Sequence, residues 1–316
     1  KKKCRLACAI TDRKPFTRFD RYIPADATEF TLESFIDLEK IYALVLDFIR
    51  ESGPEGEQLI AQWNQKLKEI GFDPQADLFA WWSGEMISIT MPAAVVTPMS
   101  PTDSVFMIRV KDADLARRKV FGLIDLISQK LQESGQTLMV TPATVDAEGF
   151  RQVTHPALMM FLRPVIGVHH EWLMVGTSPG AINKCLAVAS GKAPSIAQND
   201  RFRKEGLMPK GPVRGCSFRD MSKMGQQLAS VAAMAGMISG MVTASIPDDP
   251  PPMKKAKEAV QTGAGIVMKL APVLQKIDFY RSTASVCTFD GDRTIVTRRV
   301  LTYQPESDEV KTAAVP

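Results

Sequence analysis

The sequence predicts an α+β fold: a mostly antiparallel sheet covered by helices, with a C-terminal αα-hairpin followed by a β-hairpin. Three observations predict it. Short apolar runs separated by turn residues form a meander across 138–177. Stretches of helical period alternate with strands from residue 29 to residue 190. Two long helical stretches within 221–277 are parted by Asp248-Asp249-Pro250-Pro251-Pro252.

Taken in order, a short strand is predicted near Glu29–Leu32. Asp37 is an N-cap for a helix reaching about Ser52, with Ile41, Leu44, Val45, Phe48 and Ile49 at helical spacing on one face. Gly53-Pro54 stops it. A second helix near Glu55–Ile70 places Leu59, Ile60, Trp63 and Leu67 on one side and ends at Gly71. A short helix from Asp73-Pro74 to Ser83-Gly84 carries Trp81 and Trp82, and strands follow at Glu85–Met91 and Ser104–Val110. Asp112 caps a helix at Ala113–Glu133 that Ser134-Gly135 ends.

The meander then reads Leu138–Val145, Phe150–His155, Met159–Val168 and Trp172–Thr177, with turns at Asp146–Gly149 and at His169-His170. Ser178-Pro179 opens a helix to Ser190, because proline tolerates the first helical turn. Val213–Arg219 is one more strand. The second helix of the αα-hairpin covers Met253–Ile277, with a seam of Ala256, Val260, Ala264, Val267, Ala271 and Leu274. Asp290-Gly291 joins Arg281–Phe289 to Thr294–Tyr303 in the β-hairpin, since this dipeptide suits a turn with positive φ.

The expected organisation is a basic leader at 1–21, an α+β domain at 22–303 and a loose tail at 304–316. Ser104–Gly122 and Glu171–Ser190 share the order strand, capped turn, helix, which marks about 22–155 and 156–303 as two candidate halves. The 316 residues are 45% hydrophobic and 23% charged, the balance of a chain with a real core. A net charge of +4 does not call for nucleic acid. Five cysteines without a C-x-x-C read as buried thiols rather than a disulfide framework or a zinc site.

Chemistry-bearing motifs are sparse. No phosphate-binding, dinucleotide, zinc-protease or nucleophile-elbow motif occurs, which lowers the expectation of an enzyme, and no cofactor is implied. His169-His170-Glu171 reads as a turn rather than a metal site, because neighbouring strand residues face opposite ways and zinc needs three or four convergent ligands. Trp81-Trp82 with Glu85 is read as packing first and as a pocket wall second. The one compositional oddity is Met224–Pro247, which carries no charged side chain and contains Gly236-x-x-x-Gly240. Its serines, its glutamines and its few large aliphatics rank membrane contact last.

The candidate interaction residues are therefore Met224, Met234, Gly236, Met237, Gly240 and Met241, offered to a protein partner or a second copy through the 221–277 hairpin. Methionine side chains are flexible and polarisable, so a binding module for a hydrophobic ligand or peptide is the alternative. An enzyme of unfamiliar type is the third reading.

A family resemblance adds to this. Ile23-Pro24-Ala25-Asp26-Ala27, Gly71-Phe72-Asp73-Pro74 with Asp77-Leu78 and Ser83-Gly84-Glu85, and Arg109-Val110-Lys111-Asp112 come in that order. Trp172–Ser178 and Asp200-Arg201-Phe202 follow them. Over about 22–303 the chain resembles a bacterial family of unknown function, exported or envelope-associated, with α+β halves. The resemblance implies an extracytoplasmic or periplasmic location and a longer precursor, and it carries no catalytic residues. The leading expectation is a non-enzymatic cell-envelope or assembly protein.

Overall fold

The structure, a computed structural model, describes residues 15–34, 37–97, 100–155, 163–222, 225, 228–229, 232, 235–236, 239–240, 243–244, 251–274, 276, 280–290 and 294–303. The strands are β1 (Glu29–Glu33), β2 (Trp82–Thr97), β3 (Ser100–Val110), β4 (Met139–Pro142), β5 (Phe150–Thr154), β6 (Val165–His169), β7 (Trp172–Gly176), β8 (Gly215–Asp220), β9 (Tyr280–Asp290) and β10 (Thr294–Tyr303). They form one ten-stranded sheet in the order β10-β9-β8-β1-β2-β3-β7-β6-β5-β4. Each pairing from β1 through to β4 is antiparallel. The α+β class and the antiparallel sheet are as expected. The chain divides into two compact units, residues 1–218 with 285–299, and residues 219–284 with 300–316.

In the first unit the helices are α1 (Leu38–Arg50), α2 (Pro54–Glu69), α3 (Ala113–Glu133), α4 (Pro179–Ala189) and α5 (Asp200–Glu205). Residues paired directly across strands share a face. Ile108 lies opposite Leu173, and both join Val110, Val168, Trp81 and Ala116 of α3 in one buried cluster. Met107 lies opposite Met174, and Val105 opposite Gly176, on the other face. There, a side chain on Gly176 would meet Ile182 of α4 at 2.8 Å. Helices thus cover both faces of the central strands, with α4 against β2, β3 and β7 and α3 against β6 and β7.

The motif residues around Ile23–Ala27 and Asp200–Phe202 are structural. Asn199 caps α5 by accepting from the backbone N–H of Phe202 at 2.8 Å, and it donates to the carbonyl of Ala25 at 2.7 Å. Phe202 is fully buried among the rings of Phe30 (5.5 Å), Phe218 (5.3 Å) and Phe19 (6.0 Å). Ile196 donates to the carbonyl of Ile23, so the Ile23–Ala27 loop is pinned to the turn before α5. Of the basic segment 1–21, residues 15–21 are described. Phe16 exchanges backbone hydrogen bonds with Val213 and stacks on Trp172.

Two local expectations are corrected. The stretch expected to be a helix from Asp73 to Ser83 is a single π-helical turn, Gln75–Phe79, and the chain is already in β2 at Trp82. The strand wins because its early start pairs Trp82 with Val110 across the sheet. The second correction concerns burial. Helix α1 has the cap on Asp37 that the sequence predicts, yet none of its residues is buried. Phe48 is 74% exposed, and on α2 Leu59 is 58% exposed while Leu67 is buried. α1 and α2 pack mainly on each other, where a side chain on Gly56 would strike the carbonyl of Ile49. One helix pairing covers only part of two apolar stripes.

In the second unit the described residues between 225 and 244 are helical, and α6 spans Pro251–Leu274. This agrees with the predicted αα-hairpin, although Ala256, Val260 and Val267 of the expected seam are exposed, and β9 and β10 follow it. The Asp290-Gly291 turn and the 304–316 tail fall on residues outside the description, apart from Asp290 itself, the last residue of β9.

Candidate functional site

An apolar concavity of the first unit has a volume of about 360 Å³ and opens between the end of α2, the π-helical turn and the middle of α3. Its α2 wall is a helix ending. Gly71 takes φ +68°, and the N–H of Phe72 reaches the carbonyl of Leu67 while that of Gly71 reaches Lys68. This is the Schellman arrangement, in which a residue without Cβ turns the chain back over the last helical turn. It leaves Ile70 and Phe72 on the rim of the cavity.

The floor comes from the π-helical turn, and Asp77 organises it. One carboxylate oxygen accepts from Lys119 Nζ at 2.6 Å, and the other accepts from the N–H of Asp73 at 2.7 Å. The Lys119 ammonium, and next the Asp73 N–H, hold this carboxyl below its ordinary range. The carbonyl of Asp77 accepts from the indole N–H of Trp81 at 2.7 Å, which fixes a buried ring as the inner wall. Trp81 joins the core cluster on one side and lines the cavity on the other, whereas Trp82 and Glu85, grouped with it in the pocket reading, are not among the lining residues.

The third wall is one side of α3, where Arg118, Lys119, Val120, Gly122, Leu123 and Leu126 line the opening. Gly122 stands in the middle of a 21-residue helix, where glycine costs about 1 kcal/mol relative to alanine. A Cβ placed on it would meet nothing within 4 Å. The lining is otherwise apolar apart from Asp77, Lys119 and Arg118. The first two neutralise each other, whereas Arg118 makes no ion pair among the described residues.

The other expected groups resolve differently. His169 and His170 form the β6–β7 turn, with His170 at φ 50°. Glu171 and Glu85 converge on one guanidinium. Arg109 donates through Nη2 to Glu171 and through Nη1 to Glu85, both at 2.7 Å. That triad ties β3 to β2 and to the β6–β7 turn, leaving the histidines outside it. Among the described residues, no group of three metal-ligating side chains converges. Likewise, none of the described helices is long and apolar enough to cross a membrane. Cys185 and Cys216 are buried thiols pushed up to about 12 by burial, and Cys287 is half-buried.

In the hairpin, Met224, Met234, Met237 and Met241 lie outside the described residues. Gly236 and Gly240 lie within them and differ. A side chain on Gly236 would meet Met268 Sδ of α6 at 2.5 Å, so this glycine sits at a close helix contact. Gly240 is exposed, with open space where its Cβ would be. Gly225, Ala229, Ala232, Ser239 and Thr243 are the buried residues described on this helix, and the Thr243 hydroxyl donates to the carbonyl of Ser239 at 2.7 Å. The cavity beside α3 was missed in the sequence. Two signals pointed to it: the paired tryptophans, and a glycine with no turn to make inside a well-capped helix.

Neither a curated protein nor a solved structure matches the chain. Its residues 11–240 do match a family, and that span takes in the cavity, the sheet from β1 to β8 and the helices between them. The chain belongs to DUF3352, a family of proteins of unknown function.

Proposed function

We propose that this chain is a non-enzymatic binding protein of the cell envelope that holds a small apolar ligand in the cavity between α2 and α3. The observation that carries the reading is the cavity itself. It is apolar-walled, about 360 Å³ in volume, and lined on α3 by a helical glycine with open space where its Cβ would be. Sites for small molecules are concave, mostly apolar and roughly 300–1,000 Å³. The envelope location rests on the family resemblance in the sequence.

Titration with the neutral fluorophore N-phenyl-1-naphthylamine tests it. Saturable binding at one site is expected, with at least a tenfold loss in Gly122→Leu and no loss of thermal stability in that variant. Binding that is absent in the unaltered chain, or unchanged in Gly122→Leu, removes the reading.

A second reading, self-association through the C-terminal hairpin, has its own observation. Met253, Val260, Val267 and Leu270 are exposed and fall within about a third of a turn of one another on α6. Such a stripe is of the kind that meets a partner. A dimer mass in light scattering that Val267→Lys abolishes supports it, and a monomer at millimolar chain concentration rules it out.

A further inference from the structure

We infer that the ligand of the α2–α3 cavity is a single-chain amphipathic anion, an apolar tail bearing one carboxylate that Arg118 receives. This rests on the binding reading above and adds to it the charge of the ligand. The charges on the cavity wall do not cancel. Both oxygens of Asp77 are committed, to Lys119 Nζ at 2.6 Å and to the N–H of Asp73 at 2.7 Å. That leaves no free carboxylate on the wall for a cationic ligand. Lys119 is spent on the same pair. Arg118, adjacent to it on α3, is exposed at the cavity and has no ion-pair partner among the described residues. The surplus is one guanidinium, the group whose planar fork matches a carboxylate through two parallel hydrogen bonds.

Size restricts the tail. A volume of about 360 Å³ lies at the low end for small-molecule sites, which suits a single apolar chain. Trp81, Leu78 and Val120 line the apolar interior, while Arg118 provides charge at an exposed position. An anion can therefore keep its head in water beside the guanidinium while its tail is removed from water.

Isothermal titration with decanoate, decanol and decyltrimethylammonium, each below its aggregation concentration, tests the charge separately from the cavity. Decanoate is expected to bind about two- to fivefold more tightly than decanol, the scale of one partly exposed charge contact, with the cation weakest. Arg118→Gln should bring decanoate to the level of decanol and leave decanol unchanged. Gly122→Leu should weaken both. Equal affinity of decanoate and decanol in the unaltered chain overturns the anion inference and spares the cavity. A preference that persists in Arg118→Gln overturns it too. No binding of any of the three removes the cavity reading itself. Flotation with phosphatidylglycerol vesicles that Gly122→Leu abolishes would assign the site to a membrane lipid and so overturn a dissolved acid as its ligand.

Discussion

Helices α3 and α4 both lie against the central strands, on opposite faces, and they end in different states. α4 has 11 residues and buries Ala181, Ile182, Cys185, Leu186 and Val188. α3 has 21 residues and buries only Ala116 and Ile124, while Leu123 and Ile127 are each 45% exposed. The apolar spacing of both helices announces a partner equally well. What differs is the surface they meet. β7 offers α4 a glycine, Gly176, into whose missing side chain Ile182 fits. The side of α3 that lines the cavity with α2 and the π-helical turn keeps open space at Gly122. An apolar stripe tells that a helix is covered by something. Whether the chain itself does the covering depends on residues far away in sequence.

The comparison can be broken most easily at its extremes. Ile182→Ala should cost about 3 kcal/mol in urea denaturation, the range for emptying a filled core site, against under about 1 kcal/mol for Leu123→Ala. Similar losses at both positions would mean that α3 is as closed as α4. The two glycines should respond with opposite signs. Gly176→Ala is expected to destabilise by about 1–2 kcal/mol through the Ile182 clash.

Next in size is Asp77→Asn, with an expected loss of about 1 kcal/mol at pH 7 from the ion pair and the Asp73 hydrogen bond. Because the folded carboxyl sits below its unfolded range, its contribution is present above that range and fades as pH falls through the lowered folded value. Denaturation at pH 7 and again at acid pH should therefore show the gap between the unaltered chain and the Asp77→Asn variant closing; a pH-independent gap would assign the loss to packing. Gly122→Ala should stabilise by about 0.5–1 kcal/mol, since the helix gains and nothing is struck. A loss there would mean that the space beside Gly122 is already filled.

The smallest signal is kinetic. Cys185 on α4 and Cys216 on β8 are buried with thiols pushed up to about 12. At pH 8 both should alkylate only as fast as the chain opens, read peptide by peptide in mass spectrometry. Rapid labelling of Cys185 would show that α4 is less firmly seated than its burial indicates.

Much of the fold was legible because local chemistry announces itself. Asp37, Asp112 and Ser178 are N-caps in both sequence and structure, each accepting from a backbone N–H of its own first turn. Gly53, Gly71 and Gly135 end helices at positive φ as their positions implied. The Asp73–Ser83 stretch misleads because its helical pattern competes with pairing to β3, a contact almost thirty positions away between Trp82 and Val110. The cavity was illegible for a related reason. Its walls come from three segments spread over Ile70 to Leu126, and no spacing rule links Gly71, Trp81 and Gly122.

The sequence by itself determined the class, most of the order of helices and strands, many of their caps and stops, and the small-residue character of the 224–247 segment. These follow from forces that act within a few residues: hydrogen bonds to a cap, the steric freedom of glycine, the period of an apolar stripe. The tertiary structure alone decided which stripes are filled and which stay open, and which of three neighbouring charges is left over. Those outcomes depend on burial and pairing between distant segments. Asp77 cancels Lys119 only because the π-helical turn and α3 are brought together, and that meeting leaves Arg118 as the surplus charge beside an open wall.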